Sequence, residues 1–453
     1  MHAGGFGIAA AVAVAAVALL AAPLTAGATT NWTLATSPNP GTSSNTLAAA
    51  ACPSASECWA VGQQTATDED AQTLIEEWDG TAWSAVSSDD INATGGVLQP
   101  NSLDAVSCDS TTDCWAVGRY TVGTNDLPLG EHWNGSSWTA SALPQFTGDP
   151  AGDYLLEGIS CADASDCWAV GYFEVADSNS YGTLMEQWVS GTWTILTSGG
   201  PGYYTGISCV NASDCYAVGA TYGVTPQAML VSSWDGHTWQ GESTTNQGLG
   251  GNFLDGISCV SASYCWAAGY YYPSSGPGIA QNLFLNFDGT SWTSSAPSAS
   301  DDDSPSQNGN ILAAVSCTSD TSCWAVGSYN TDELTATLVD AWDGTSWALV
   351  ANTPNAGTDE NNELLGVACA GAGDCAAVGD YGFEDPTLIL MYVAAAAPTP
   401  TATPAPASVP ATGGGELAAG SGPGLAVIAG GLTLLALLAT TAALGGGRRQ
   451  KQR

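Results

Sequence analysis

Fourteen cysteines fall into seven Cys-x5-Cys pairs: Cys52 with Cys58, Cys108 with Cys114, Cys161 with Cys167, Cys209 with Cys215, Cys259 with Cys265, Cys317 with Cys323, and Cys369 with Cys375. Paired thiols at this spacing can bind zinc, run a redox cycle or close a disulfide. Zinc gathers four ligands, mostly Cys and His, in one place. Here the pairs are scattered, and the chain holds only His2, His132 and His237. One active dithiol would suffice for redox work, so identical copies argue against it. Residues flanking a five-residue turn face each other across antiparallel strands at bridging distance. Seven disulfides are therefore expected, in a protein exported to an oxidising compartment.

The other reactive groups are carboxylates. Asp and Glu total 43 against 5 Lys and Arg, for a formal net charge of -38. Arg448, Arg449, Lys451 and Arg453 lie at the extreme C-terminus, which leaves Arg119 alone in the rest of the chain. Such a surface cannot neutralise phosphates, and this excludes a nucleic-acid partner. Acidic clusters occur at Asp68-Glu69-Asp70, at Asp301-Asp302-Asp303, and at Asp359-Glu360 with Glu363. Oxygen-only clusters suit calcium, which makes Asp68, Asp70, Asp301, Asp303 and Asp359 the candidate ligands. None has EF-hand spacing, and solvated loop carboxylates are the plainer reading, so no cofactor is expected unless it is calcium. A serine triad lacks a plausible His, and a sialidase would need an arginine cluster. A two-carboxylate glycosidase needs only an acid and a base or nucleophile, and it stays open without assigned catalytic residues.

A repeat positions these groups. Its clearest copy runs from Leu103 to Asn134, and its core is Cys-x5-Cys-Trp-Ala-Val-Gly. Ahead of each first cysteine stands a strand A with a column of small residues: Ala49, Ala105, Gly158, Gly206, Gly256, Ala314 and Gly366. Small side chains there suit backbones crowding toward an axis. Strand B follows the second cysteine, as in Trp59-Ala60-Val61-Gly62, and strand C ends at Trp78, Trp133, Trp188, Trp234, Phe287, Trp342 and Tyr392. Asp79-Gly80 and its relatives then predict type I′ hairpins. In the third copy Val189 precedes Ser190-Gly191, and a turn one residue longer is expected. Strand D carries Trp83, Trp138, Trp193, Trp239, Trp292 and Trp347.

The seventh copy has no strand D of its own, whereas Asn31–Asn39 matches Ser346–Pro354 in character. The expected fold is an all-β seven-bladed β-propeller closed by the N-terminal strand, which leaves no blade edge unpaired. All 17 tryptophans sit in repeat columns, so they are expected to pack between blades. Over about Asn31 to Val393 the pattern resembles kelch or galactose-oxidase-type propellers, whose units carry an aromatic, a turn and a Trp between strands C and D. Kelch units usually have a Gly pair after strand B; here a single Gly ends Ala-Val-Gly. The resemblance implies architecture alone. Copper chemistry of the galactose-oxidase kind needs a His/Tyr set that His132 and His237 do not supply.

Alternation of strands puts the short A–B and C–D turns on one face of the disc. The long, variable B–C and D–A connections share the other face, where binding is expected. Residues 1–28 read as a signal peptide ending Ala26-Gly27-Ala28. Residues 29–393 form the propeller and 394–408 a Pro/Ala/Thr-rich linker. Residues 409–453 hold Val409-Pro410-Ala411-Thr412-Gly413, an apolar span over about 424–444 and the basic tail. That order resembles the cell-wall sorting signal read by sortases, with Thr412 joined to the wall; a plain transmembrane anchor is the alternative. The expected function is a surface-displayed bacterial binding or adhesion module for carbohydrate or protein. The alternative is an extracellular carbohydrate-active hydrolase or lyase using loop carboxylates.

Overall fold

The computed structural model describes residues 32–393, apart from 67–69, 89, 92–99, 146–151, 176–179, 197–199, 276–277, 296–308, 331–333, 358–359 and 383–385. The signal, linker, sorting motif (Val409, Pro410, Ala411, Thr412, Gly413) and apolar span lie outside the described residues. The described residues form seven four-stranded antiparallel sheets, making an all-β seven-bladed propeller. Within blade 1 the strands A to D are Ser44–Ser54, Glu57–Thr65, Gln72–Trp78 and Trp83–Val86. The A strands touch one another in a ring that runs from blade 1 through blade 7 and back to blade 1. In blade 7 the sheet consists of Asn362–Gly371, Asp374–Tyr381, Thr387–Val393 and, on its outer edge, Trp32–Leu34. Trp32 stands opposite Tyr392 and Leu34 opposite Leu390.

Strand A departs from regular pairing at the same place in every blade. In blade 3 Leu156 faces Gly171 and Gly158 faces Val170, so Glu157 is an extra residue. The equivalent extra residues are Ala48, Asp104, Thr205, Asp255, Ala313 and Leu365. A bulge bends its strand and re-aims a side chain; here all seven extra residues line the axial channel. The bulge also explains the single glycine of Ala-Val-Gly, because a Cβ on Gly171 would collide with the Leu155 carbonyl oxygen. Crowding at the axis is equally direct: a Cβ on Gly366 would lie 2.8 Å from the Cα of Ala49 in the neighbouring blade.

Tryptophans lock the blades together. The strand B ring of one blade packs against the C and D aromatics of the next, as Trp266 does with Trp342 at 4.7 Å and Trp347 at 5.3 Å. Trp59, Trp115, Trp168 and Trp324 repeat the arrangement, with Tyr216 replacing Trp between blades 4 and 5. A polar ladder runs beside it. The N–H of Cys209 donates to Ser160 Oγ at 2.9 Å, and Cys161, Cys259, Cys317 and Cys369 donate likewise to Ser107, Ser208, Ser258 and Ser316.

The join between blades 7 and 1 differs. Ala376 stands in the Trp column and Ala368 in the Ser column, so the seam lacks both locks. Apolar contacts among Ala376, Val378, Ile389, Leu47 and Trp83 remain. The segment after Trp32–Leu34 adds polar links across the seam. Ser37 Oγ donates to Glu76 of blade 1 at 2.9 Å and contacts the Thr387 hydroxyl of blade 7. Asn39 Oδ1 accepts the Thr387 N–H at 2.7 Å.

All fourteen cysteines are joined in the seven Cys-x5-Cys pairs, with Cα separations of 4.0 Å at Cys108–Cys114 and 3.9 Å at Cys161–Cys167. Each ties strand A to strand B at their shared turn. Bridges over such short loops contribute roughly 2 kcal/mol each by chain entropy. Seven disulfides mark a secreted protein of an oxidising environment.

The Asp-Gly turns depart from the type I′ expectation. Gly80 has φ +88°, whereas Asp79 is not among the residues of positive φ. Asp79 Oδ1 instead accepts the N–H groups of Thr81 and Ala82, at 2.8 and 2.9 Å. Satisfying two donors with one carboxylate outweighs the usual hairpin geometry. The third copy is no longer than the others, since Trp188 pairs with Trp193 as Trp78 does with Trp83. Its glycine is displaced by one, and Ser190 and Gly191 both take positive φ, 55° and 83°.

Candidate functional site

On the face of the B–C and D–A connections, blades 3 and 4 build a hollow from four tyrosines. Tyr172 follows the strand B glycine of blade 3, and Tyr181 lies near the start of its strand C, opposite Glu174. Tyr203 belongs to strand A of blade 4, opposite Ala220, and Tyr222 follows that blade's strand B. Aromatic residues suit half-buried strand positions, and all four rings are partly exposed. Tyr172 meets Tyr181 at 5.4 Å and 68°, Tyr203 at 6.1 Å and 67°; Tyr181 meets Tyr222 at 4.4 Å and 72°. Rings meeting edge to face form walls rather than a stack. They enclose an open hollow of about 240 Å³. The aromatic band continues into blade 5, where Phe253 stacks on Tyr270 at 4.8 Å beside Tyr272.

Carboxyls stand below and beside the tyrosines. The bulges of blades 2, 3 and 5 turn Asp104, Glu157 and Asp255 into the channel, with Thr205 between the last two. Thr205 Oγ1 donates to the Leu254 carbonyl at 2.6 Å. Arg119 sits 3.8 Å from Asp104 and 3.7 Å from Asp126. Burial pushes Asp255 up to about 7, helped by Glu157. Burial also raises Asp104, against the pull of Arg119, and raises Glu157 with help from Asp104. The same carboxyls act on the tyrosines. Tyr172 is pushed up to about 12 by burial and then by Glu157, and Tyr203 to about 12 by burial and Asp255. Burial raises Tyr181, with Glu174, Tyr222 and Asp153 adding to it. The phenols of Tyr172, Tyr181 and Tyr203 are therefore neutral at physiological pH, able to donate and accept hydrogen bonds.

Most of the acidic loop clusters fall on residues that the structure does not describe. Asp68, Asp301, Asp303 and Asp359 lie outside the described residues, and Asp70 stands alone of the five calcium candidates just before strand C of blade 1. Among the described residues no group of three or more His, Cys, Asp or Glu could hold a metal ion. His132 stacks on Trp115 at 4.4 Å and bonds Asp113 at 3.3 Å, near the disulfide end of blade 2. Among the described residues the full set of four tyrosines does not recur from blade to blade. At the position of Tyr172 the other blades carry Gln63, Arg119, Ala220, Tyr270, Ser328 and Asp380. Aromatics that break a repeat column were its only mark in the sequence.

Neither a protein-family profile nor a curated protein sequence matches the chain. Solved structures do match. A GH74 xyloglucanase from Xanthomonas campestris aligns with a TM-score of 0.47 at 14% identity, over 78% of this chain and 56% of its own. The present chain thus spans little more than half of the xyloglucanase's length. The six-bladed fucose-recognising lectin of Aleuria aurantia aligns at 0.38 and 13% identity, over 68% of this chain and 97% of the lectin. Chaetomium thermophilum Sqt1 aligns at 0.43 and 11%, over 80% and 97%. No residue role is carried over from any of them.

Proposed function

We propose that the protein is a binding module that holds a carbohydrate or protein ligand in the tyrosine hollow of blades 3 and 4. One observation carries this reading: four partly exposed tyrosines from two blades enclose a hollow on the face of the variable connections. Tyrosine offers a rigid apolar ring and a hydroxyl at low entropic cost, which suits sugar C–H faces and polar peptide groups alike. Presentation belongs to the same reading. The signal at 1–28 exports the chain, the ring is closed by its N-terminal strand, and kelch-like units stack into a rigid platform. The linker and the motif Val409–Gly413 attach it to the cell wall through a sortase, with a membrane anchor over 424–444 as the alternative.

Binding of the purified protein to a glycan array and to surface proteins tests this, with Tyr172→Ala and Tyr203→Ala as variants. Binding should weaken at least about tenfold in each, as for loss of an aromatic anchor. Ligand capture that neither substitution changes contradicts it. A second reading is favoured by one feature: Glu157 and Asp255 are carboxyls raised toward neutrality beside the hollow, as a general acid requires. Glycoside turnover that disappears in Glu157→Gln would support a hydrolase instead.

A further inference from the structure

The chemistry of the hollow's walls and of its surroundings narrows the ligand class, and this step rests on the binding reading above. Rings that meet in three pairs at 67–72° line one hollow from several sides, so a ligand held there meets more than one ring. A ring face is the negative part of the aromatic quadrupole, and a cation within about 6 Å of a centroid is attracted to it. Carboxyls reach the same rings from separate elements: Glu174 bonds the Tyr181 hydroxyl, Asp153 and Glu157 come from strand A of blade 3, and Asp255 from strand A of blade 5. The one cation whose charge reaches the hollow's rings acts on Tyr172. Arg119 is the sole Lys or Arg among the described residues, and it is engaged by Asp104 and Asp126 on blade 2. A net charge of -38 adds long-range attraction for positive ligands.

We propose that the hollow formed by Tyr172, Tyr181, Tyr203 and Tyr222 recognises an organic ammonium group, held by the ring faces and by the carboxylates around them. The amine of an amino sugar and a quaternary ammonium share this chemistry. Two matched pairs of probes separate charge from shape and one source from the other. Choline is compared with its neutral isostere 3,3-dimethylbutan-1-ol, and glucosamine with N-acetylglucosamine, each titrated into the full-length protein by calorimetry at pH 7.

The cationic member of at least one pair should bind about tenfold more tightly than its neutral partner. That preference should shrink with added salt and be lost in Tyr181→Ala. Tyr181→Phe, which keeps the ring and removes the hydroxyl, should retain most of it. Preference for choline would identify the quaternary group, and preference for glucosamine the amino sugar. Equal binding of charged and neutral partners overturns this inference and leaves the binding reading in place. Failure of both cations while neutral glycans bind in a Tyr172-dependent way does the same. No binding by the probes, together with blank glycan and protein arrays, overturns both.

Discussion

Glu186 is a buried carboxyl without hydrogen-bond support in the described core, and replacing it by leucine should stabilise the protein. It lies on strand C of blade 3, opposite Ala169, fully buried, and neither carboxyl oxygen has a hydrogen-bond partner. The same column shows what support looks like. Asp340 accepts a hydrogen bond from Asn282 of the preceding blade at 3.0 Å, and Glu76 accepts one from Ser37 at 2.9 Å. The place that Asn282 holds in blade 5 belongs in blade 2 to Pro128, which has no donor. Blades 5 and 7 carry Leu285 and Leu390 in the column, so leucine fits the packing scheme.

Burial alone pushes Glu186 up from 4.5 to about 8. Its folded pKa is raised, so its stability contribution is complete below the unfolded value and is lost as pH climbs toward the folded one. Each pH unit in that window costs the wild type about 1.4 kcal/mol. Glu186→Leu should gain roughly 2 kcal/mol at pH 4 by removing an unpaired buried polar group. The gain should grow by roughly 3 kcal/mol on going to pH 7 and level off above pH 8. Urea denaturation between pH 4 and 9 reads this directly. A variant less stable than wild type, or a gain that does not change with pH, would refute the reasoning.

Three further outcomes follow from the blade joins and the channel. Ala368→Ser should supply the acceptor missing between blades 7 and 1 and raise stability by about 1 kcal/mol, whereas Ser208→Ala should lower it by a similar amount; melting temperatures check both. Trp32 is 2% exposed and packs on Trp324 and Tyr392 at 5.4 Å each, so Trp32→Ala should cost about 3–5 kcal/mol and speed proteolysis at Tyr392; an effect under about 1 kcal/mol would contradict a closing role for that strand. Choline affinity should rise between pH 5 and 8, because Asp255 is raised to about 7 and Glu157 is raised too, and a cation favours their ionised forms. Calorimetry across that range must show this with Asp104, Asp126, Arg119, Tyr172, Tyr203 and Tyr270 as the neighbouring groups; affinity that falls with pH would be the wrong sign.

Much of the scaffold could be read from the chain because each blade repeats its covalent and aromatic markers. Cys108 and Cys114 announce a turn between two strands, and Trp133 with Trp138 announces a hairpin. The bulge could not be read. Counting by twos from Leu156 assigns Glu157 to one face of a strand, and only an extra residue in the pairing turns it to the axis. Turn geometry also escaped, because the Asp79 carboxylate competes with backbone preference in a way that the dipeptide does not reveal. The hollow depended on distance in sequence. Tyr172 and Tyr222 are fifty positions apart and come together only when two blades stand side by side.

The most direct test is a crystal structure of the protein with its tightest ligand from the array and probe panel. The account predicts ordered ligand density among Tyr172, Tyr181, Tyr203 and Tyr222, with any ammonium nitrogen within about 6 Å of a ring centroid. Density over the A–B and C–D turns at the disulfide end, with the tyrosine hollow holding only solvent, would contradict it.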